Sequence, residues 1–186
     1  ATGVYFKING EFVKGIESWA SLSIMRTRED IINDQYTNSE GETIRPGYYP
    51  RPTDQLLNFS MYFQDYVPNN PSYKMNLSLH YGSRLPFSAP NTDRYDLTFK
   101  MPPYRRVDIG FSKILIDKDN GFDNKILRNF KSAWISLEVF NLLDINNTIS
   151  YLWIKTLQNQ EGVSGQYAVP NYLTSRRINL KLTAKF

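Results

Sequence analysis

The sequence predicts an all-β chain and, more narrowly, part of an antiparallel transmembrane β-barrel. Three observations lead there. The last residues, Arg176-Arg-Ile-Asn-Leu-Lys-Leu-Thr-Ala-Lys-Phe186, place Ile178, Leu180, Leu182, Ala184 and Phe186 on one face and Asn179, Lys181, Thr183 and Lys185 on the other. That is a period-two strand whose terminal aromatic belongs to the pattern. Alternating segments of about ten residues recur along the chain, the length a tilted strand needs to cross a bilayer. The connections between them alternate between short and long, as periplasmic turns and extracellular loops do.

Seven strands follow from the alternation. In residues 3–12, Val4, Phe6 and Ile8 oppose Tyr5, Lys7 and Asn9. In 16–27, Ala20, Leu22 and Ile24 oppose Ser21 and Ser23, and the Lys14-Gly15 step before them permits a tight hairpin. In 55–66, Leu57, Phe59, Met61 and Phe63 oppose Asn58, Ser60 and Gln64. The cleanest alternation is 73–82, where Tyr73, Met75, Leu77, Leu79 and Tyr81 oppose Lys74, Asn76, Ser78 and His80. Its aromatics bracket an aliphatic middle, as in a lipid-facing band with interfacial girdles. Val107, Ile109 and Phe111 oppose Arg106, Asp108 and Ser112 in 105–116. Ala133, Ile135, Leu137 and Val139 oppose Ser136 and Glu138 in 132–141, and the terminal strand completes the set. A helical period would spread these polar residues around the whole cylinder, so helices are excluded.

The connections after the first, third and fifth strands are 10–15, 67–72 and 117–131; those after the second, fourth and sixth are 28–54, 83–104 and 142–175. A bacterial single-chain barrel has an even number of strands, and an open sheet in lipid leaves unpaired backbone groups. The sequence also starts inside an alternating element, so residues 1–186 are expected to be one piece of a longer barrel.

Composition narrows the classes. Tyr (13) and Phe (11) are abundant, as pleated and interfacial surfaces favour. The net charge of +4 is scattered and interrupted by acids, which argues against nucleic acid as a partner. Without cysteine there is no disulfide or thiolate chemistry. No run approaches the ~20 apolar residues of a membrane helix, and no signal peptide is recognisable. Lys74, Arg106, Asp108 and Glu138 all fall on the polar faces, where neighbours of opposite sign can pair.

Trp134-Ile-Ser-Leu-Glu-Val-Phe-Asn-Leu-Leu-Asp144 resembles the penultimate strand of TonB-dependent outer-membrane receptors, with Leu143 where that family carries Phe. Asn146–Trp153, Tyr167–Phe186 and Pro102–Phe111 are similar to late barrel segments of the Bacteroidetes branch. The resemblance implies the last seven strands of a barrel of about 22, with the plug domain and upstream strands absent. It implies a cell outer membrane location and active uptake of a bulky, scarce solute: oligosaccharide, iron chelate, vitamin or peptide. The partners it implies are outer-membrane lipid, the rest of the barrel and plug, and the TonB complex acting through the missing N-terminal region. A surface lipoprotein joins them for glycans or peptides. Phe186 resembles the terminal aromatic read by the barrel-assembly machinery. The alternative is a non-transporting, β-rich carbohydrate- or ligand-binding protein, for example a sandwich whose apolar faces bury each other.

No enzyme constellation is readable, and no cofactor is implied. His80 is the only histidine, with no second imidazole for zinc. A serine poised against His80, with an acid to orient the ring, is the arrangement that would restore a hydrolase reading. Asp117-Lys-Asp-Asn-Gly-Phe-Asp123 carries spaced carboxylates, but Phe122 and Arg128 stand where a calcium loop needs Gly and Glu, so calcium binding stays open beside a solvated turn. The best ligand-contact candidate is Arg45-Pro-Gly-Tyr-Tyr-Pro-Arg-Pro52. Its prolines stiffen a loop in which Tyr48 and Tyr49 can stack on a ring and Arg45 and Arg51 can pair with anions, or in which the tyrosines simply pack on neighbours. Trp153, with Lys155, Gln158, Asn159 and Gln160, is a second candidate.

Overall fold

A computed structural model describes residues 1–13, 16–90, 92–93, 95, 99–117, 130–155 and 165–185. In chain order its strands are β1 (Thr2–Val13), β2 (Ile16–Arg26), β3 (Arg28–Glu29), β4 (Tyr36–Thr37), β5 (Thr43–Ile44), β6 (Tyr49–Pro50), β7 (Leu57–Val67) and β8 (Asn70–Gly82). They continue as β9 (Pro86–Phe87), β10 (Phe99–Lys100), β11 (Tyr104–Asp117), β12 (Ser132–Phe140), β13 (Thr148–Lys155), β14 (Gln166–Tyr172) and β15 (Arg177–Lys185).

The seven long strands of the alternation are present within a few residues of their expected bounds and form one antiparallel sheet, β1-β2-β7-β8-β11-β12-β15. Its register aligns like with like. Phe6 faces Leu22, which faces Phe59, which faces Tyr81. Further along, Phe63, Leu77, Ile109, Val139 and Ile178 lie in one row. One face therefore carries an apolar band from edge to edge, with Arg105, Asp65 and Lys113 toward its ends, and the other carries most of the amides, hydroxyls and charges. The β7–β8 hairpin closes on Val67 opposite Asn70. Pro68 presets the turn and Asn69 takes the left-handed conformation (φ 61°), which asparagine tolerates better than most residues. The Lys14-Gly15 step lies outside the described residues, although Val13 and Ile16 on either side of it are paired.

Two side chains extend the ladder where backbone partners run out. The β2–β7 register stops at Trp19 opposite Tyr62. Beyond it, the Ser18 hydroxyl, only 2% exposed, accepts from Gln64 N (3.1 Å) and donates to Gln64 O (3.4 Å). β12 likewise covers β11 only from Ile109 onward. Asn147 takes over, its Oδ1 accepting from Arg105 N and its Nδ2 donating to Arg105 O, both at 2.8 Å, while Leu142 N donates to Val107 O. Buried backbone groups need such partners.

The barrel expectation is corrected here. The sheet is open: β1 pairs only with β2, and β15 only with β12, among the described residues. Closure is the feature that satisfies every backbone group of a sheet in hydrocarbon, and it is missing. With it go the grounds for a 22-stranded transmembrane barrel, for transport, for an outer-membrane location, and for lipid, plug, TonB-complex, lipoprotein and assembly-machinery partners. Phe186, the expected assembly signal, lies outside the described residues. No helix among them is long and apolar enough to cross a membrane. The face-to-face sandwich is not seen either. Leu180 and Leu182 are 68% and 70% exposed, and Leu57, Phe59, Leu77, Leu79 and Ile109 are half-exposed rather than buried. The few buried hydrophobic residues described are Ile16, Tyr49 and Ala133.

The long connections are not plain loops. They emerge together at one end of the sheet and form four ribbons: β3 with β6, β4 with β5, β9 with β10, and β13 with β14.

Candidate functional site

At that end, the polar face of β7, β8 and β11 is roofed by two of the ribbons, leaving a pocket of about 330 Å³. The floor is built by alternation. Asn58 and Ser60 come from β7, His80 from β8 and Tyr104 from β11, all on the polar face. The roof brings Leu85 and Met101, which flank the β9–β10 ribbon and are joined by Met101 N donating to Leu85 O at 2.8 Å. It also brings Thr148 and Ile149 of β13, with Leu173 just after β14. Phe87 of β9 stacks on Tyr151 of β13 (4.6 Å between centroids, 6° between planes), and Phe99 of β10 lies 5.5 Å from Phe87. The two ribbons are thereby tied into one cover.

The rim is held by hydrogen bonds. Gln55 donates through Nε2 to Ser83 O (3.0 Å) and accepts through Oε1 from Asn58 Nδ2 (2.9 Å), while Ser83 Oγ accepts from Leu57 N. A Cβ on Gly82 would stand 2.5 Å from Gln55 Nε2, so the absent side chain there makes room for this amide. No Asp, Glu, Lys or Arg lines the pocket among the described residues. Two charges farther along the same polar face compensate each other. Arg106 Nε donates to both oxygens of Asp108, at 2.7 and 3.0 Å, and Asp108 Oδ1 also accepts from Asn141 N. The Asp108 bond holds the Arg106 guanidinium above its usual range; burial pulls the other way, and Tyr104 adds to the rise. The pairing of opposite signs expected on the polar faces is thus present for Arg106 and Asp108. Lys74 is instead placed between aromatic faces, 4.8 Å from the Tyr66 ring and 4.4 Å from the Trp134 ring.

His80 Nδ1 lies 3.3 Å from Ser60 Oγ. This supplies the serine of a hydrolase arrangement but not the acid. Asp108, on the same face of β11, is committed to Arg106 and Asn141. The Asn141–Asp144 segment is a structural turn. Asn141 and Asp144 both have φ 53°, the Asn141 side chain bonds Ile145 N and O, and Asp144 Oδ1 accepts from Arg176 N. These bonds explain that spacing without a ligand.

The structure separates the residues that the sequence nominated. Tyr48 is 72% exposed and borders an open cleft with Arg26 and Arg28. Tyr49 is buried, edge-on to Tyr95, which stacks on Tyr36. Arg45 and Arg51 form surface ion pairs with Asp30 (3.4 Å) and Glu29 (3.3 Å). Trp153 lies on a different ribbon, half-buried, on the same side of β13 as Tyr151. Gln158, Asn159 and Gln160, and all of the acidic turn beyond Asp117, fall outside the described residues. Gln55, Asn58, Ser60 and Tyr104 were not singled out as a site. The shared polar face of Asn58, Ser60 and Tyr104 is readable, but their convergence with Gln55 depends on strand register and on a roof supplied by distant connections.

The chain matches no family model, and no curated protein or solved structure shows a significant likeness to it. The resemblance to TonB-dependent receptors is accordingly not sustained. The segments that carried it have local roles in this sheet, as the turn at Asn141–Asp144 illustrates.

Proposed function

We propose that this chain is a non-catalytic, β-rich binding protein whose pocket takes a neutral, ring-shaped, hydroxyl-bearing ligand of carbohydrate kind. The observation that carries the reading is the composition of the pocket wall. Amides and hydroxyls (Asn58, Ser60, Tyr104, Thr148) face apolar groups (Leu85, Met101, Ile149), with no acidic side chain, lysine or arginine between them among the described residues. A sugar ring has an apolar face and a polar edge and suits such a wall. A charged ligand would lose hydration there without meeting a counter-charge. The volume lies at the lower end of the usual range for small-ligand pockets, about 300–1,000 Å³. Tyr48, exposed on a different connection beside Arg26 and Arg28, is a separate candidate stacking surface. Trp153 lies farther along β13, the strand that supplies Thr148 and Ile149 to the roof.

The test is calorimetric titration of the intact chain with neutral mono- and disaccharides and with their carboxylated counterparts. Neutral sugars are expected to bind, and the carboxylated forms to bind about tenfold more weakly or not at all. Ser60→Ala should weaken neutral-sugar binding. Absence of neutral-sugar binding, or a preference for the acids, removes the reading. The non-catalytic part has its own check. Activated esters and glycosides should be turned over no faster by the wild type than by Ser60→Ala, and a serine-dependent rate would restore the hydrolase.

A further inference from the structure

The outer edge of β15 combines three features. Its backbone pairs only with β12 among the described residues, so its other row of N–H and C=O groups faces outward. Among the described residues of the long strands its apolar side chains are the most exposed, matched only by Ile8 of β1 (68%), with Ile178, Leu180 and Leu182 at 72%, 68% and 70%. On the opposite face, Arg177, Lys181 and Lys185 form a row of like charge at alternate positions. No ion pair among the described residues answers these cations. The one acid on the adjoining strand's polar face, Glu138, is hydrogen-bonded to Asn179 (3.1 Å).

Edge strands are normally guarded by a bulge, a proline or a charge turned toward the apolar face. β15 has no proline, its register with β12 runs without a shift from Arg177 to Lys185, and its charges lie on the polar face. Its guard against indiscriminate pairing is the row of cations, which an acidic strand would satisfy on addition.

We propose that β15 is a docking edge for an extended peptide segment of another protein, in which acidic residues alternate with apolar ones. Main-chain hydrogen bonds would form the new ladder. The partner's apolar residues would continue the face of Ile178, Leu180 and Leu182, and its acids would lie opposite or diagonal to Arg177, Lys181 and Lys185. The charge pattern selects this occupant over a second copy of the chain. The other free edge, β1, brings Lys7 and Glu11 on its polar face, so a second copy would offer one acid and a further cation to the three cations of β15.

The test uses the intact chain and nine-residue peptides with solubilising ends, the length of β15. One alternates valine with glutamate, one alternates valine with lysine, and a third repeats the glutamate sequence with alternate backbone amides methylated. The glutamate peptide is expected to bind about tenfold more tightly than the lysine peptide and to slow hydrogen exchange at β15 amides. The methylated peptide should fail. The double variant Lys181→Glu with Lys185→Glu should reverse the preference. A second readout, circular dichroism of that variant, confirms that the sheet is retained. Equal binding of the two charged peptides, binding of the methylated one, absence of binding by all three, or concentration-dependent self-association in place of peptide binding would each overturn the proposal.

Discussion

Ser18 and Asn147 do at two places what backbone does elsewhere, and this makes them more costly to lose than polar residues of their size usually are. Removing either side chain leaves an N–H and a C=O of a paired strand without a partner. The usual penalty is about 1–3 kcal/mol for each buried group left unsatisfied. We expect Asn147→Ala to destabilise the fold by about 2–4 kcal/mol and Ser18→Ala by about 1–3 kcal/mol, measured by urea denaturation. A loss under about 0.5 kcal/mol, the scale of an ordinary surface change, would show that water replaces these bonds. Tyr62 offers a pH-dependent test. Burial first, and then the charge of Glu138, raise its phenol above the usual value of 10.0. Because the folded-state value is the higher one, the unfolded chain gives up this proton first as the pH rises. The contribution is therefore intact below pH 10 and is lost as the pH climbs through the folded-state value. Absorbance titration of the tyrosines should show one late-ionising group that disappears in Tyr62→Phe and moves earlier in Glu138→Gln. None of these roles is visible in residue type alone. A serine or asparagine at a strand end reads as a turn former, and only the register shows which ladder it completes.

At the level of elements, the seven long strands were legible because alternation is a local property that needs no knowledge of partners. The ribbons within the long connections were not. β13 contains the β-branched and aromatic run Thr148-Ile-Ser-Tyr-Leu-Trp-Ile-Lys155, which is strand-like. It lies inside the connection 142–175, which the alternation of short and long connections marks as a loop. The two-residue strands β3, β4, β5, β6, β9 and β10 carry no sequence signal, since a pair of residues has no period. The pocket inherits this limit, as its floor comes from readable strands and its roof from unread ribbons. The Phe87–Tyr151 stack is what joins the roof, so Phe87→Ala should weaken sugar binding while the seven-stranded sheet keeps its stability to within about 1.5 kcal/mol, the scale of a single ring pair. Hydrogen exchange at residues 148–155 should rise in the same variant. Unchanged exchange there would mean that the ribbons hold without the stack. Gly82→Ala tests the rim in a complementary way. The new Cβ meets the end of the Gln55 side chain, which should swing out of its bonds to Ser83 and Asn58 and lower affinity more than it lowers stability.

The whole molecule is an unusual sheet in having an apolar band across one face from β1 to β15 and little laid over it. The sequence made that face obvious and suggested two ways to cover it, a bilayer or a second sheet. The structure provides neither, because the decisive facts, closure and face-to-face packing, are relations between strands rather than properties of any one strand. Contiguous exposed apolar surface beyond a few hundred Å² is rare on monomeric proteins, so its exposure in solution can be tested directly. Leu180 and Leu182 are about as exposed as Ile178 and face no other element, while Leu77 and Leu79 in the sheet centre are half-covered by their neighbours. Leu180→Thr and Leu182→Thr should each change unfolding free energy by no more than about 0.5 kcal/mol. Leu79→Thr should cost about 1–2 kcal/mol, because it removes part of a cross-strand cluster with Met61 and Val107. The ratio between centre and edge matters more than either value. Equal, large losses at all three positions would mean that the edge is covered in solution, and the open sheet would then give way to an assembly that buries the β15 side as deeply as the centre.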